Sequence, residues 1–271
     1  MFTKSVSIYK EIGPGERTAL SKLAVQHLEN NGRPLRLAID IAIWQFQIKV
    51  TPGGQNPAIR TLYYRLLKLL SLSIQPLFVF DGPYRPSFKR GVKRAPFTAS
   101  VDNFLTKHML KIFGFPYHDA PGEAEAECAL LQKQGIVDAV MSEDIDTMMF
   151  GSAVCMRNWT SEGARANKTP THVDIYRAQH TKSVAGLDSA GMILVALMSG
   201  GDYIQAGIPN CGVKTACQAA RAGFGEQLCQ IAADDDVALR DWKRRLEHEI
   251  KTNEVCFSHF TVFEAVFQLS L

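Results

Sequence analysis

The chain has 271 residues, of which 46% are hydrophobic and 21% are charged, with 30 lysines and arginines against 27 aspartates and glutamates. This composition excludes a disordered or collagen-like chain, and the length suits one large α/β domain or a core with a small appendage. A formal net charge of +3 is too small to indicate nucleic-acid binding by itself. No apolar run reaches the roughly 18 residues of a transmembrane helix, so we expect a soluble intracellular protein with no membrane partner.

Two apolar runs near the N-terminus predict buried parallel strands, one over residues 35–44 and one over 74–83. Between them, Asn56 can cap a helix that continues to about residue 72. Apolar residues recur along this helix at the spacing of a single face. The predicted stripe consists of Ile59, Leu62, Tyr63, Leu66, Leu67 and Leu70.

The middle of the chain continues this alternation of strands and helices. After a basic loop over 85–97, the acidic and alanine-rich segment 120–135 predicts a helix that begins at its proline. Residues 137–151 then predict a strand that runs into an acidic turn. Helical patterns dominate from residue 187 onward. This order predicts an α/β fold, a doubly wound parallel sheet followed by a helical C-terminal part.

Acidic residues follow three of the predicted strands at the point where each strand ends. Asp40 and Asp81 end the first two, and Asp144 and Asp146 follow the third. In open parallel α/β sheets, ligands bind in the crevice outside the carboxyl ends of the strands. We therefore expect these carboxylates to converge at one edge of the sheet.

Three further acids are candidates for the same crevice. Glu123 and Glu125 fall in the first turn of the helix predicted from residue 121, and Asp202 lies in the SGGDY turn. Each acid alone has an ordinary alternative, because aspartates at strand ends usually form turns or cap helices, and glutamates early in a helix favour its dipole.

The conjunction of these acids favours a metal site. Carboxylates in a buried setting with no matching Lys or Arg nearby repel one another unless cations neutralise them. Hard oxygen ligands suit Mg²⁺ or Mn²⁺, and two such ions about 4 Å apart can activate a water and stabilise the leaving oxygen of a phosphodiester. The residues alone therefore predict a metal-dependent phosphoryl hydrolase.

A second signature is the glycine-bracketed segment GIPNCGVKTACQAARAG at 207–223, with Lys214 and Thr215 in the first turn of a predicted helix. Backbone N–H groups at such a helix start bind phosphate without reading bases, although an ordinary helix-turn-helix packing element explains the pattern equally well. Basic side chains that can follow a phosphate backbone occur in the loop after the second strand, at Lys89, Arg90, Lys93 and Arg94.

Five motifs in this order, LAIDIAIW, FVFDGP, APGEAEAECA, SEDIDTMMFG and SGGDYIQAGIPNCGVKTA, resemble the XPG/flap endonuclease superfamily of structure-specific 5′ nucleases. The resemblance implies a PIN-like parallel-sheet nuclease domain with a C-terminal helix–two-turn–helix module like that of 5′-3′ exonucleases. It implies nuclease regions over 1–97 and 98–185, the helix–two-turn–helix region over 186–254, and an atypical tail over 255–271.

The resemblance also implies a two-Mg²⁺ active site, in which Mn²⁺ can substitute, and a K⁺ ion in the helix–two-turn–helix module. Carried over by motif, the catalytic and metal-binding residues are Asp40, Asp81, Glu123, Glu125, Asp144, Asp146 and Asp202. The implied DNA-binding residues are Lys89, Arg90, Lys93, Arg94, Lys214 and Thr215.

The short insertion between Asp81 and Glu123 looks like the Holliday junction resolvase branch, since flap endonucleases carry a longer helical arch there. This branch implies cleavage of four-way junctions and 5′ flaps in DNA recombination and repair, a homodimer on junction DNA, and a nuclear location. The alternatives are a flap endonuclease or 5′ exonuclease without junction preference, and a catalytically silent DNA-binding protein.

The N-terminus departs from the family pattern. Tyr9 stands where the family carries a tryptophan, and Lys4 falls near the position of a glycine that lies against the active site in the family. We expect a bulky residue there to obstruct the substrate or shift the metals. Because resolvase-branch enzymes usually continue into a further DNA-binding region, we also expect this chain to represent a nuclease core.

Overall fold

A computed structural model describes residues 3–42, 44–45, 56–89, 92–93, 101–162, 170–202, 206–209 and 211–252. The strands are β1 (Glu16–Ala19), β2 (Leu35–Asp40), β3 (Ile74–Phe80), β4 (Phe88–Lys89), β5 (Val92–Lys93), β6 (Tyr117–Asp119), β7 (Ala139–Met141), β8 (Val154–Thr160) and β9 (His172–Arg177). The helices are α1 (Thr3–Ile12), α2 (Leu20–Asn31), α3 (Pro57–Leu70), α4 (Val101–Phe113), α5 (Ala124–Lys133), α6 (Asp146–Met149), α7 (Ala178–Ala185), α8 (Ser189–Ser199), α9 (Val213–Arg221), α10 (Phe224–Gln230) and α11 (Asp236–Thr252).

Seven strands form the central sheet, in the order β1-β9-β8-β7-β2-β3-β6. Strands β8, β7, β2, β3 and β6 run parallel, whereas β9 pairs antiparallel with β8 and β1 with β9. The predicted α/β fold with a helical C-terminal part is confirmed, but the sheet is mixed rather than wholly parallel. The connection from β8 to β9 is too short for the helical crossover that a parallel partner needs.

Side chains alternate across the central strands, so both faces of the sheet are covered. Leu37 and Ile39 of β2 join one buried cluster with residues of α2, α3 and α4. Ala38, between them, joins a second cluster with residues of α5 on the opposite face. This two-sided burial is why the strands appear as continuous apolar runs in the sequence.

The first predicted strand is shorter than its apolar run. Strand β2 ends at Asp40, and residues 41–42 and 44–45 are helical rather than extended as predicted. The backbone N–H of Ala42 donates to Oδ1 of Asp40 at 3.0 Å, which is the type of contact by which aspartate starts a helix. The buried carboxylate therefore marks the change from strand to helix.

The predicted stripe of α3 is wrong in part. Leu62, Leu66 and Leu69 are buried, and Leu69 was not in the predicted stripe. The stripe's other members, Ile59, Tyr63, Leu67 and Leu70, are exposed. The face that meets the sheet is narrower than the six-residue pattern. Asn56 precedes the helix as predicted, but its side chain makes no capping hydrogen bond.

Helix α5 begins at Ala124, three residues later than the predicted start at Pro121. The carbonyl of Pro121 accepts a hydrogen bond from Tyr84 N, and the carbonyl of Gly122 accepts one from Gly82 N. These carbonyls are therefore turned toward the loop after β3 instead of along a helix.

The C-terminal helices pack with α1 around a separate apolar cluster that includes Ile8, Met192, Cys217 and Trp242. Among the described residues, no helix is by itself long and apolar enough to cross a membrane. The helices Ala178–Ala185 and Ser189–Ser199 pass that test only as a pair, bent by 67°. The predicted tail over 255–271 lies outside the described residues.

Candidate metal centre

Three of the predicted acids meet at the carboxyl edge of the sheet. Glu125, Asp144 and Asp146 each offer a carboxylate oxygen, and these oxygens lie within 4.8 Å of one another. Glu125 belongs to the first turn of α5, Asp144 follows β7, and Asp146 begins α6. The structure shows the convergence predicted from the strand ends for Asp144 and Asp146, and it brings Glu125, predicted from its place in the first turn of a helix, to the same point.

Asp40, at the end of β2, is almost fully buried, with 4% of its surface exposed. Its Oδ2 accepts a hydrogen bond from Ser142 Oγ at 3.1 Å. The same hydroxyl oxygen accepts one from the backbone N–H of Asp144 at 3.2 Å. Ser142, which the sequence argument missed, therefore ties the carboxylate of β2 to the turn that carries Asp144.

The pKa of Asp40 is raised to about 6, mainly by burial and also by the negative charges of Asp81 and Asp144, although hydrogen bonds from Ala42 and Ser142 oppose the shift. The carboxylate is thus costly to ionise without a nearby cation. A divalent ion among the carboxylates would remove this cost. The donor set, which is made only of carboxylate oxygens, is the chemistry that Mg²⁺ and Mn²⁺ prefer.

We expect a metal-free Asp40→Asn variant to lose part of the pH dependence of stability. The carboxyl has a pKa of about 6 in the folded chain against its usual 3.8, so between these values the folded state binds more protons. The free energy of unfolding contributed by Asp40 is therefore full below pH 4 and falls as the pH rises to 6, by up to about 3 kcal/mol. Urea denaturation in EDTA at acidic and neutral pH measures this difference. Parallel pH profiles of variant and wild type would contradict it.

Asp81 and Glu123 lie at the start of α5. Oδ1 of Asp81 accepts a hydrogen bond from Ala124 N at 3.0 Å, and Oδ2 accepts one from Arg85 at 3.4 Å. Glu123 is the residue that precedes the helix rather than part of its first turn, and it is buried. The expectation that the acids have no basic partner nearby is therefore wrong at Asp81, where Arg85 lies four residues away.

Asp202 lies just beyond the end of α8, and α8 packs against α6, which begins with Asp146. Among the described residues, the group within 4.8 Å comprises Glu125, Asp144 and Asp146, so Asp202, Asp40, Asp81 and Glu123 lie outside that group. Their part in metal binding stays a prediction.

The predicted DNA-binding residues fall in two places. Lys89 and Lys93 belong to the antiparallel pair β4 and β5, whereas Arg90 and Arg94 lie outside the described residues. Lys214 and Thr215 are in the first turn of α9, as predicted, and Lys214 is exposed. Gly207 holds the turn before α9 close to α8, because a Cβ there would lie 2.5 Å from the carbonyl oxygen of Met198.

Comparison with known proteins agrees with this combination of an α/β sheet and an acidic edge. The model of the XPG N-terminal domain matches residues 15–95, and that of the XPG I-region matches 114–202. The chain therefore belongs to the XPG family.

The human relative named flap endonuclease GEN homolog 1 is 29% identical over 216 residues, which are 72% of this chain and 23% of that protein. The structure of the eukaryotic junction-resolving enzyme GEN-1 with cesium matches with a TM-score of 0.84 and 54% identity, over 98% of this chain and 63% of that one.

The structure of the Holliday junction-resolving enzyme GEN1 with product DNA and Mg²⁺ matches with a TM-score of 0.78 and 56% identity, over 92% of this chain and 57% of that one. These matches confirm the predicted PIN-like α/β nuclease fold. The chain spans about a quarter of the human relative's length and less than two thirds of the length of either solved chain.

Proposed function

We propose that this chain is the core of a Mg²⁺-dependent, structure-specific endonuclease that hydrolyses phosphodiester bonds at Holliday junctions and 5′ flaps. The observation that carries the proposal is the group of Glu125, Asp144 and Asp146 at the carboxyl edge of a sheet. It is supported by 54% identity to an enzyme described as junction-resolving, and by the flap endonuclease name of the human relative.

Seven carboxylates are proposed to form the metal and catalytic site. Glu125, Asp144 and Asp146 would bind two Mg²⁺ ions with help from the other four carboxylates, and Mn²⁺ could replace the Mg²⁺. When bound, the ions lower the pKa of a water and stabilise charge on the departing oxygen. The chain's own part is to hold the carboxylates in register: Asp40 and Ser142 fix the turn of Asp144, and Asp81 fixes the start of α5. The full proposed set is Asp40, Asp81, Glu123, Glu125, Asp144, Asp146 and Asp202.

The remaining parts of the proposal concern DNA and partners. The start of α9 would bind the phosphate backbone of duplex DNA, and a K⁺ ion would bind in the helix–two-turn–helix module. A related enzyme has been solved with cesium, another monovalent cation. The basic residues Lys89, Arg90, Lys93 and Arg94 would lie near the scissile phosphate of the bound DNA. A homodimer on junction DNA and a nuclear location follow from the proposed substrate. The division of the chain at residues 97, 185 and 254 is proposed from the resemblance to the family.

The decisive experiment uses an immobile four-way junction, labelled on each strand in turn and incubated with Mg²⁺ or with EDTA. Paired, symmetric nicks that require Mg²⁺ are the expected result. Cleavage of a 5′-flap control alone would instead support a flap endonuclease without junction preference. Binding of both substrates without cleavage would show a DNA-binding protein without nuclease activity. Sedimentation of the chain with and without the junction tests the homodimer.

Replacement of Lys214 should weaken binding to any duplex-containing substrate by about three- to ten-fold, without a change in sequence preference. The reason is the loss of one phosphate contact at the exposed start of α9. The slope of log affinity against log salt should become shallower by about one. Fluorescence anisotropy of Lys214→Ala over a series of KCl concentrations measures both quantities. Lys22→Ala, an exposed lysine of α2, is the charge-matched control, and an equal effect there would reject the assignment.

A further inference from the structure

We infer that Glu143 and Arg157 are positioning residues that hold the turn carrying Asp144. They do so through a bulge in β8, where a backbone N–H donates to the Glu143 carboxylate. The inference rests on the proposed function, since it concerns the same acids. Glu143 lies between Ser142 and Asp144. Ser142 fastens this turn to Asp40 on one side, and Glu143 fastens it to β8 on the other.

The Glu143 carboxylate uses both of its oxygens on β8. Oε2 accepts a hydrogen bond from Arg157 Nε at 3.3 Å, and Oε1 accepts one from the backbone N–H of Asn158 at 2.6 Å. The Glu143 and Arg157 side chains are each about one fifth exposed. A carboxylate with two charge-assisted or backbone donors is fixed in orientation far better than a solvated one. Because Asp144 is the next residue, fixing the Glu143 side chain also restrains the backbone that carries the Asp144 carboxylate.

The backbone of β8 is distorted at the point where it meets Glu143. Arg157 pairs with Asp174 and Thr160 with His172 across β9, so two residues of β8 oppose one of β9. Asn158, inside this bulge, has a φ of +54°, which is the left-handed region that non-glycine residues rarely adopt. Its backbone N–H donates to Glu143. Bulges next to functional sites change the direction of groups on the bulged strand, and an unfavourable backbone conformation persists where surrounding bonds impose it.

Other contacts hold the bulge in this form. The Asn158 side-chain amide donates to Asp174 Oδ2 at 2.9 Å, and Arg17 donates to the Asn158 carbonyl at 2.8 Å. These two bonds hold the side chain and the backbone carbonyl of Asn158 in place. The distortion is thus built by side chains of β1 and β9, and it is not a frayed strand end.

Helix α1 restrains the other side of the Arg157 side chain through Tyr9. The Arg157 guanidinium carbon lies 3.6 Å from the centre of the Tyr9 ring, and the Tyr9 ring packs on Tyr176 at 5.3 Å. A cation over an aromatic face loses the freedom to turn to solvent. Tyr9, which the sequence comparison marked as a departure from the family pattern, therefore restrains the arginine that holds Glu143.

The test measures Mn²⁺ affinity of the whole chain by electron paramagnetic resonance, without DNA. Glu143→Gln keeps the shape of the side chain but loses its charge and one acceptor, and we expect the affinity to fall about ten-fold, the size typical of groups that orient metal ligands. Arg157→Gln should give a similar loss. The double variant should be no weaker than either single one, because both substitutions break the same restraint. Arg157→Lys, which keeps the charge, should restore part of the affinity.

A matched control removes an arginine–carboxylate pair at the opposite ends of strands, where Arg33 precedes β2 and Asp138 precedes β7. Arg33 donates to both oxygens of Asp138 at 2.6 and 2.8 Å, so Arg33→Gln should lower stability and leave Mn²⁺ affinity unchanged. Wild-type affinity in Glu143→Gln, or an equal loss in Arg33→Gln, would overturn the positioning role alone. A wild-type chain that binds no Mn²⁺ and cuts no DNA would overturn the proposed function and this inference with it.

Discussion

The Asp144→Asn chain should lose at least about 10³-fold of its DNA cleavage rate, equivalent to roughly 4 kcal/mol of transition-state stabilisation, while it still binds a four-way junction. Asp144 contributes one of the three carboxylate oxygens that lie within 4.8 Å of one another. An amide keeps the size of the side chain and removes the charge that holds a divalent cation. Single-turnover cleavage and a binding titration in EDTA measure the two quantities separately.

Asp119→Asn is the control for this substitution. Asp119 also ends a parallel strand, β6, at the same edge of the sheet, but it forms an ion pair with Lys107 and is about half exposed. We expect its replacement to leave cleavage within about two-fold of wild type, as is usual for exposed ion pairs. If Asp144→Asn lost DNA binding, cleavage and thermal stability together, the acid would be structural instead of metal-binding.

Gly82→Ala should lower the free energy of unfolding by at least about 3 kcal/mol. A Cβ at Gly82 would lie 1.7 Å from the carbonyl oxygen of Ala120 and 2.6 Å from that of Pro121. Both obstacles are backbone atoms, so no side-chain rotation relieves them. The segment that must move leads into α5, whose first N–H is held by Asp81.

The neighbouring glycine provides the matched control. At Gly122 the added carbon would meet only the carbonyl oxygen of Tyr84, at 3.8 Å, which is ordinary contact distance. Gly122→Ala should therefore unfold in urea within about 1 kcal/mol of wild type. Equal midpoints for the two variants would mean that the loop between β6 and α5 yields more easily than its hydrogen bonds indicate.

Predictions from the sequence were most reliable where burial on both sides made the pattern continuous. The runs that became β2 and β3 were recognisable because most of their residues are buried in a core on one face of the sheet or the other, and the acids at their ends follow from the geometry of parallel sheets. The same reasoning misjudged which residues of α3 are buried. How much of a helix's apolar surface is covered depends on the elements that pack against it, and the helix's own sequence does not show this. It also made the sheet wholly parallel, because nothing local in β9 states which strand it will pair with.

The supports of the site were invisible in the sequence for a related reason. Ser142 and Glu143 stood inside a recognised motif, and a buried hydroxyl directly after a strand is a signal that could have been used. Arg157 and Tyr9 offered no such signal. They are distant from Glu143 in the chain, and their contact with it depends on the bulge in β8 and on where α1 packs.

The sequence by itself determined the α/β class, the strand ends that carry acids, and the helix start that carries Lys214, because each depends on residues a few positions apart. The tertiary structure decided which of the seven acids share one point in space, that Asp40 is buried with a raised pKa, and that Arg85 accompanies Asp81. Distances of a few ångströms between side chains of different elements arise only when the whole sheet is assembled. Charge interactions change steeply over such distances, so the chemistry of this edge is a property of the folded chain.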